Sequence, residues 1–65
     1  MKVSYDPEVD AVFLRLTDAA IVESEEVQHG LVVDFDKEGK IVALEFLNAK
    51  ERFSAEAIKQ FSEAA

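Results

Sequence analysis

The sequence predicts an α+β domain: a small antiparallel β-sheet of four or five hairpin-connected strands, followed by one C-terminal α-helix packed on the sheet. Three observations carry this. Apolar residues recur at every second position through Val3 and Tyr5, then Val12, Leu14 and Leu16, then Leu31, Val33 and Phe35, then Val42, Leu44 and Phe46. That period puts side chains on one face of a strand. Turn-forming residues, Asp6-Pro7, Gly30 and Gly39, separate these runs. Only the stretch from Ser54 onward reads at helical spacing.

The elements follow in order. Residues 1–5 form a first strand, ended by Asp6-Pro7-Glu8-Val9-Asp10, where Pro7 presets the first corner of a type I turn. Residues 11–17 form the second strand, and Asp18-Ala19-Ala20 turns the chain. Residues 21–27 are a third strand whose middle is Glu23, Ser24, Glu25 and Glu26. Such a segment suits a sheet edge, where charge discourages further pairing, and it fits poorly in the centre of a simple meander. Gln28-His29-Gly30 is the next turn. Residues 31–36 and 40–47 are the strongest strands, joined through Asp36-Lys37-Glu38-Gly39-Lys40 by a type I turn closing in a glycine bulge. The helix spans residues 54–64, with Ser54 as N-cap and Phe53 and Ile58 as a hydrophobic staple. Ala57, Ile58, Phe61 and Ala65 make its apolar face, and Lys59, Gln60 and Glu63 face water.

The 65 residues form a single domain, 1–65. A domain this small buries too little surface to be more than marginally stable, and natural chains of this size add disulfides, a metal or a second copy. The sequence has no cysteine and one histidine, His29, so disulfides and thiolate or imidazole zinc sites are excluded and self-association is the remaining device. The absence of cysteine fits a reducing, cytoplasmic setting. No apolar leader follows Met1-Lys2, and no apolar run is long enough to span a membrane. Seven basic residues against fourteen acidic ones give a formal charge of −7, which disfavours nucleic acid and anionic membranes and favours a basic protein partner.

The outer positions of the strands are themselves partly apolar. Phe13 alternates against Val12 and Leu14, Val32 against Leu31 and Val33, and Ile41, Ala43 and Leu47 against Val42, Leu44 and Phe46. One short helix covers one face, so Phe13, Val32, Ile41 and Ala43 are expected to form an exposed self-association surface and the chain to be a homodimer.

Candidate chemistry is thin. Asp34, Asp36, Glu38, Gly39, Ile41 and Glu45 fit the spacing of an EF-hand calcium loop, but strands rather than helices flank them. Glu45 is expected to lie roughly 16 Å along its strand from Lys40, too far to close on an ion held by Asp34 and Asp36. Asp6, Glu8 and Asp10 read as a capped, solvated turn. Ser4, Ser24, Ser54 and Ser62 have only His29 as a histidine partner, and no glycine-rich phosphate loop is present. No cofactor, metal or catalytic residue is predicted.

Lys2-Val3-Ser4-Tyr5-Asp6-Pro7-Glu8 with Asp10-Ala11 and Phe13-Leu14-Arg15-Leu16 resembles the opening of the small bacterial proteins grouped as domain of unknown function 2283. Glu23 to Val27, Gly30 to Asp36 and Gly39 to Ala49 are similar to its later segments, and the resemblance runs over about residues 2–53. The turn at Ala19-Ala20 departs from it in lacking a glycine. The resemblance implies a compact antiparallel sheet with a C-terminal helix in a prokaryotic protein, and it supplies no catalytic residues. It also implies an antitoxin-like role, since similar acidic proteins are encoded beside small basic toxin-like ones. The leading expectation is a noncatalytic, self-associating interaction module. One alternative is an acidic binder of a basic partner through Glu23, Glu25 and Glu26. Another is a metal-dependent enzyme or metal binder using Asp6, Glu8 and Asp10 or Asp34, Asp36 and Glu38.

Overall fold

The computed structural model describes residues 1–64 of the chain. Five strands, β1 (Lys2–Asp6), β2 (Ala11–Arg15), β3 (Glu23–Gln28), β4 (Leu31–Phe35) and β5 (Ile41–Leu47), precede two helices, α1 (Ala49–Arg52) and α2 (Ala55–Ala64). The strands form one antiparallel sheet in the order β1-β2-β5-β4-β3. The expected α+β architecture is present, with an extra one-turn helix between the sheet and the C-terminal helix. Ala65, assigned to the helix's apolar face from sequence, lies outside the described residues.

The order is not a meander. After β2 the chain crosses the end of the β4–β5 hairpin and returns as β3 on the far edge, which keeps the acidic strand out of the sheet centre. The crossover is tied at both ends, by Leu16 N–H to the Val42 carbonyl (2.8 Å) and Val22 N–H to the Phe35 carbonyl (2.9 Å). Arg15 Nη2 donates to the Ala19 carbonyl at 2.6 Å and holds its middle. The β4–β5 turn closes as read from sequence: Gly39 N–H donates to the Asp36 carbonyl at 3.0 Å, and Gly39 takes φ +77°.

The other end is fastened by two side chains. Asp10, at φ +54°, accepts from the Tyr5 hydroxyl (2.7 Å) and from Lys50 N–H (3.2 Å), while its carbonyl accepts from Ala49 N–H (2.9 Å). It therefore joins the first turn to the start of α1, where unpaired helical N–H groups need an acceptor. Arg52 donates through Nε to the Leu47 carbonyl (2.8 Å) and through Nη2 to the His29 carbonyl, locking α1 against the β3–β4 turn. Gly30, at φ +81°, lies under that guanidinium, and a Cβ there would collide with it.

Ser54 caps α2, its Oγ accepting from Ala57 N–H at 3.1 Å. The helix packs on β1 and is stapled to the sheet through Phe53, whose ring meets Phe46 edge-on at 5.3 Å and Phe61 at 5.2 Å. The fully buried apolar residues are small: Val12, Val33, Val42, Ala43 and Ala49. Leu14, Leu31, Leu44, Phe46, Phe53 and Phe61 are only half-buried. A groove of about 380 Å³ lined by Met1, Val3, Val12, Leu14, Phe46, Phe53 and Phe61 runs between α2 and the sheet.

Candidate functional site: the open sheet face

Val12, Leu14 and Phe46 meet α2, so the alternate residues of the same strands point to the opposite, helix-free face. The strand register sets out that face in two rows. One runs Ser4, Phe13, Glu45, Val32, Glu26 and the other Lys2, Arg15, Ala43, Asp34, Ser24, from β1 to β3. Glu45 is thus directly opposite both Phe13 and Val32, and Asp34 is its diagonal neighbour. Next to them Ala11 pairs with Leu47, which is exposed.

Of the four residues assigned to the self-association surface, Phe13 and Val32 stand here, both half-buried and flanking Glu45. Two assignments need correcting. Ala43 is 0 % exposed and offers no surface. Ile41 is 50 % exposed, but a β-bulge shifts the register and pairs it with Phe35. The extra residue of a bulge breaks the two-residue alternation that sequence reading extrapolates, so Ile41 leaves the row of Phe13 and Val32.

The chemistry of the face lies in three side chains that sequence reading did not group. Ser24 Oγ donates to Asp34 Oδ1 at 2.5 Å. Asp34 is 1 % exposed, and its Oδ2 has no hydrogen-bond partner among the described residues. Glu45 is the neighbouring carboxyl on this face: side-chain hydrogen bonding with Asp34, then burial, then the repulsion of the Asp34 charge raise its pKa from 4.5 to about 7. Like charges this close favour the protonated form of Glu45. The expectation that Glu45 stands far from Asp34 is therefore wrong. Distance from the turn grows along both strands of a hairpin together, so residues equally far from the turn meet across it. Asp34 thereby meets Ala43, and Glu45, two residues further along β5, is its diagonal neighbour on the same face.

The calcium-loop pattern nonetheless does not assemble. Asp36 Oδ1 accepts from Glu38 N–H and Lys40 N–H, each at 2.9 Å, and belongs to the turn. Asp6 Oδ1 likewise accepts from Glu8 N–H at 3.0 Å. Among the described residues no group of three or more His, Cys, Asp or Glu side chains has the geometry to hold a metal ion. His29 meets Arg52 through its carbonyl, Ser54 caps α2, and Ser62 bonds the Ile58 carbonyl at 3.0 Å.

Glu23, Glu25 and Glu26 are exposed on β3, at the sheet edge. They do not share a face. Glu23 and Glu25 pair with Phe35 and Val33, on the helix side, whereas Glu26 pairs with Val32 on the open side and accepts from Gly30 N–H at 3.0 Å.

A five-stranded antiparallel sheet with short helices on one side and the buried Asp34 beside Glu45 on the other defines a small α+β protein whose second sheet face is uncovered by any helix among the described residues. The chain belongs to the family described as protein of unknown function (DUF2283), whose model matches residues 2–50. The match runs through all five strands and ends in α1, so α2 lies beyond it. No curated protein and no solved structure matches the chain. Among the described residues no helix is long and apolar enough to cross a membrane.

Proposed function

We propose that the chain is a noncatalytic interaction module whose open sheet face binds a second copy of itself. The observation that carries this reading is the self-complementary layout of that face. Its β1–β2 flank bears the exposed Lys2, its β4–β3 flank bears the exposed Glu26, and Phe13 and Val32 lie between. A two-fold axis parallel to β5 lays β2 of one copy over β4 of the other. It sets Phe13 over Val32 and brings Lys2 over β3 of the other copy, beside Glu26, at two equivalent places, as an isologous interface requires. Five strands of about five residues make a face roughly 24 by 17 Å. Closing two such faces removes on the order of 1,000 Å² of accessible surface, the size of a weak, reversible interface.

The small set of fully buried apolar residues supports the same reading, since no leucine or phenylalanine is among them and the chain has no cysteine to staple it. The absence of cysteine also suits a reducing compartment such as the cytoplasm. A basic partner gains less support, because the glutamates of β3 divide between two faces. The test is Phe13→Glu, which puts two like charges into the centre of the interface. It should turn a dimer into a folded monomer.

A further inference from the structure

We propose that this self-association is gated by one proton per chain, held between Glu45 and Asp34: the face closes on a second copy when the proton is present and opens when it leaves. The inference rests on the self-association reading and adds its control.

Glu45 occupies the middle of the face, on β5, with Phe13 on one side and Val32 on the other. The two-fold axis that puts Phe13 over Val32 brings Glu45 toward Glu45 of the second copy. Nothing cationic stands free beside it. Along β5 its same-face neighbours are Ala43 and Leu47. From β2 the only charged neighbour is Arg15, whose guanidinium is taken by the Ala19 carbonyl. From β4 it faces Asp34, whose other oxygen is taken by Ser24. Lys2 on β1 and Glu26 on β3 lie at the far ends of the rows, and Glu26 is bound to Gly30 N–H.

With its proton, Glu45 can donate to the buried Asp34 oxygen, and each pair carries a single charge. Without it, four carboxylates from two chains come together in a desolvated layer, each Arg15 guanidinium being engaged by its own Ala19 carbonyl. Burying unpaired charge is among the costliest events at an interface. The dimer must therefore hold the proton more tightly than the monomer, and by linkage each proton lost weakens the dimer. The raised pKa of Glu45, about 7 in the single chain, puts this change near neutrality.

The experiment is sedimentation equilibrium of the full chain at about pH 6 and about pH 8.5, with circular dichroism at both to establish folding. The wild type should dissociate roughly tenfold or more easily at the higher pH. Glu45→Gln keeps a neutral donor to Asp34 and should give a dimer of equal strength at both. A wild type that stays a folded monomer at both values overturns the self-association reading and the gate with it. A dimer of pH-independent strength, or one that tightens as pH rises, leaves self-association standing and overturns the gate alone. Should Glu45→Gln fail to fold, a carbon-detected titration of the wild-type Glu45 carboxyl decides. The gate requires its midpoint to rise with protein concentration, and a constant midpoint refutes it.

Discussion

Lys50 donates its backbone N–H to the Asp10 carboxylate at 3.2 and 3.3 Å, joining residues 40 apart in the chain. The same carboxylate accepts from Tyr5, and Asp10 sits at φ +54°. One side chain thus closes the β1–β2 turn and caps α1. Asp10→Ala loses both acceptor roles and strains the left-handed backbone, for an expected cost of about 2 kcal/mol. Asp10→Gly relieves the backbone and loses only the carboxylate, so it should cost less. Urea unfolding of the two variants separates the terms.

Gly30 and Arg52 form a second long-range fastening. Gly30→Ala meets two obstacles, the positive φ of +81° and the Arg52 guanidinium. The expected loss is about 2 kcal/mol. Arg52→Ala frees the space while giving up the bonds to Leu47 and His29. In the double variant the two losses should sum to less than their separate values, because the collision is gone. A double-mutant cycle by thermal unfolding reads this coupling directly.

Glu45 gives stability a pH dependence even in a dilute, single chain. Its folded-state pKa of about 7 lies above its ordinary value of 4.5, so the folded chain holds a proton that the unfolded chain releases. The resulting stabilisation is complete below about pH 4.5 and is lost as the pH rises through about 7. Partial exposure of Glu45 screens the effect and keeps it small. Melting temperatures at low protein concentration should fall across that window for the wild type. For Glu45→Gln they should be flatter.

Ser54→Ala removes the acceptor for Ala57 N–H at the start of α2. An isolated helix of this length is unstable, so the cap matters to its docking. The expected loss is about 1 kcal/mol, with the change in amide exchange concentrated in α2 rather than in β4 and β5.

What the sequence made legible followed from local rules. The alternation of Leu31, Val33 and Phe35 against Val42, Leu44 and Phe46 located the central hairpin, Gly39 its turn and Ser54 the helix cap. Charge in residues 23–26 correctly assigned that strand to an edge. What stayed hidden depended on pairing. The bulge that turns Ile41 to Phe35, the one-turn helix held by Asp10 and Arg52, and the meeting of Asp34 with Glu45 all arise from contacts between segments. Side-chain alternation separates Glu26 from Glu23 and Glu25, but which of the two sheet faces each takes follows only from the pairing of β3 with β4.

The central claim is tested most directly by the solution mass of the purified chain, by light scattering at about pH 6 over a dilution series. The account predicts twice the 7.2 kDa chain mass at high concentration, falling toward the single-chain value on dilution, and a single-chain mass throughout for Phe13→Glu. A folded wild type that stays at 7.2 kDa over the whole series contradicts it.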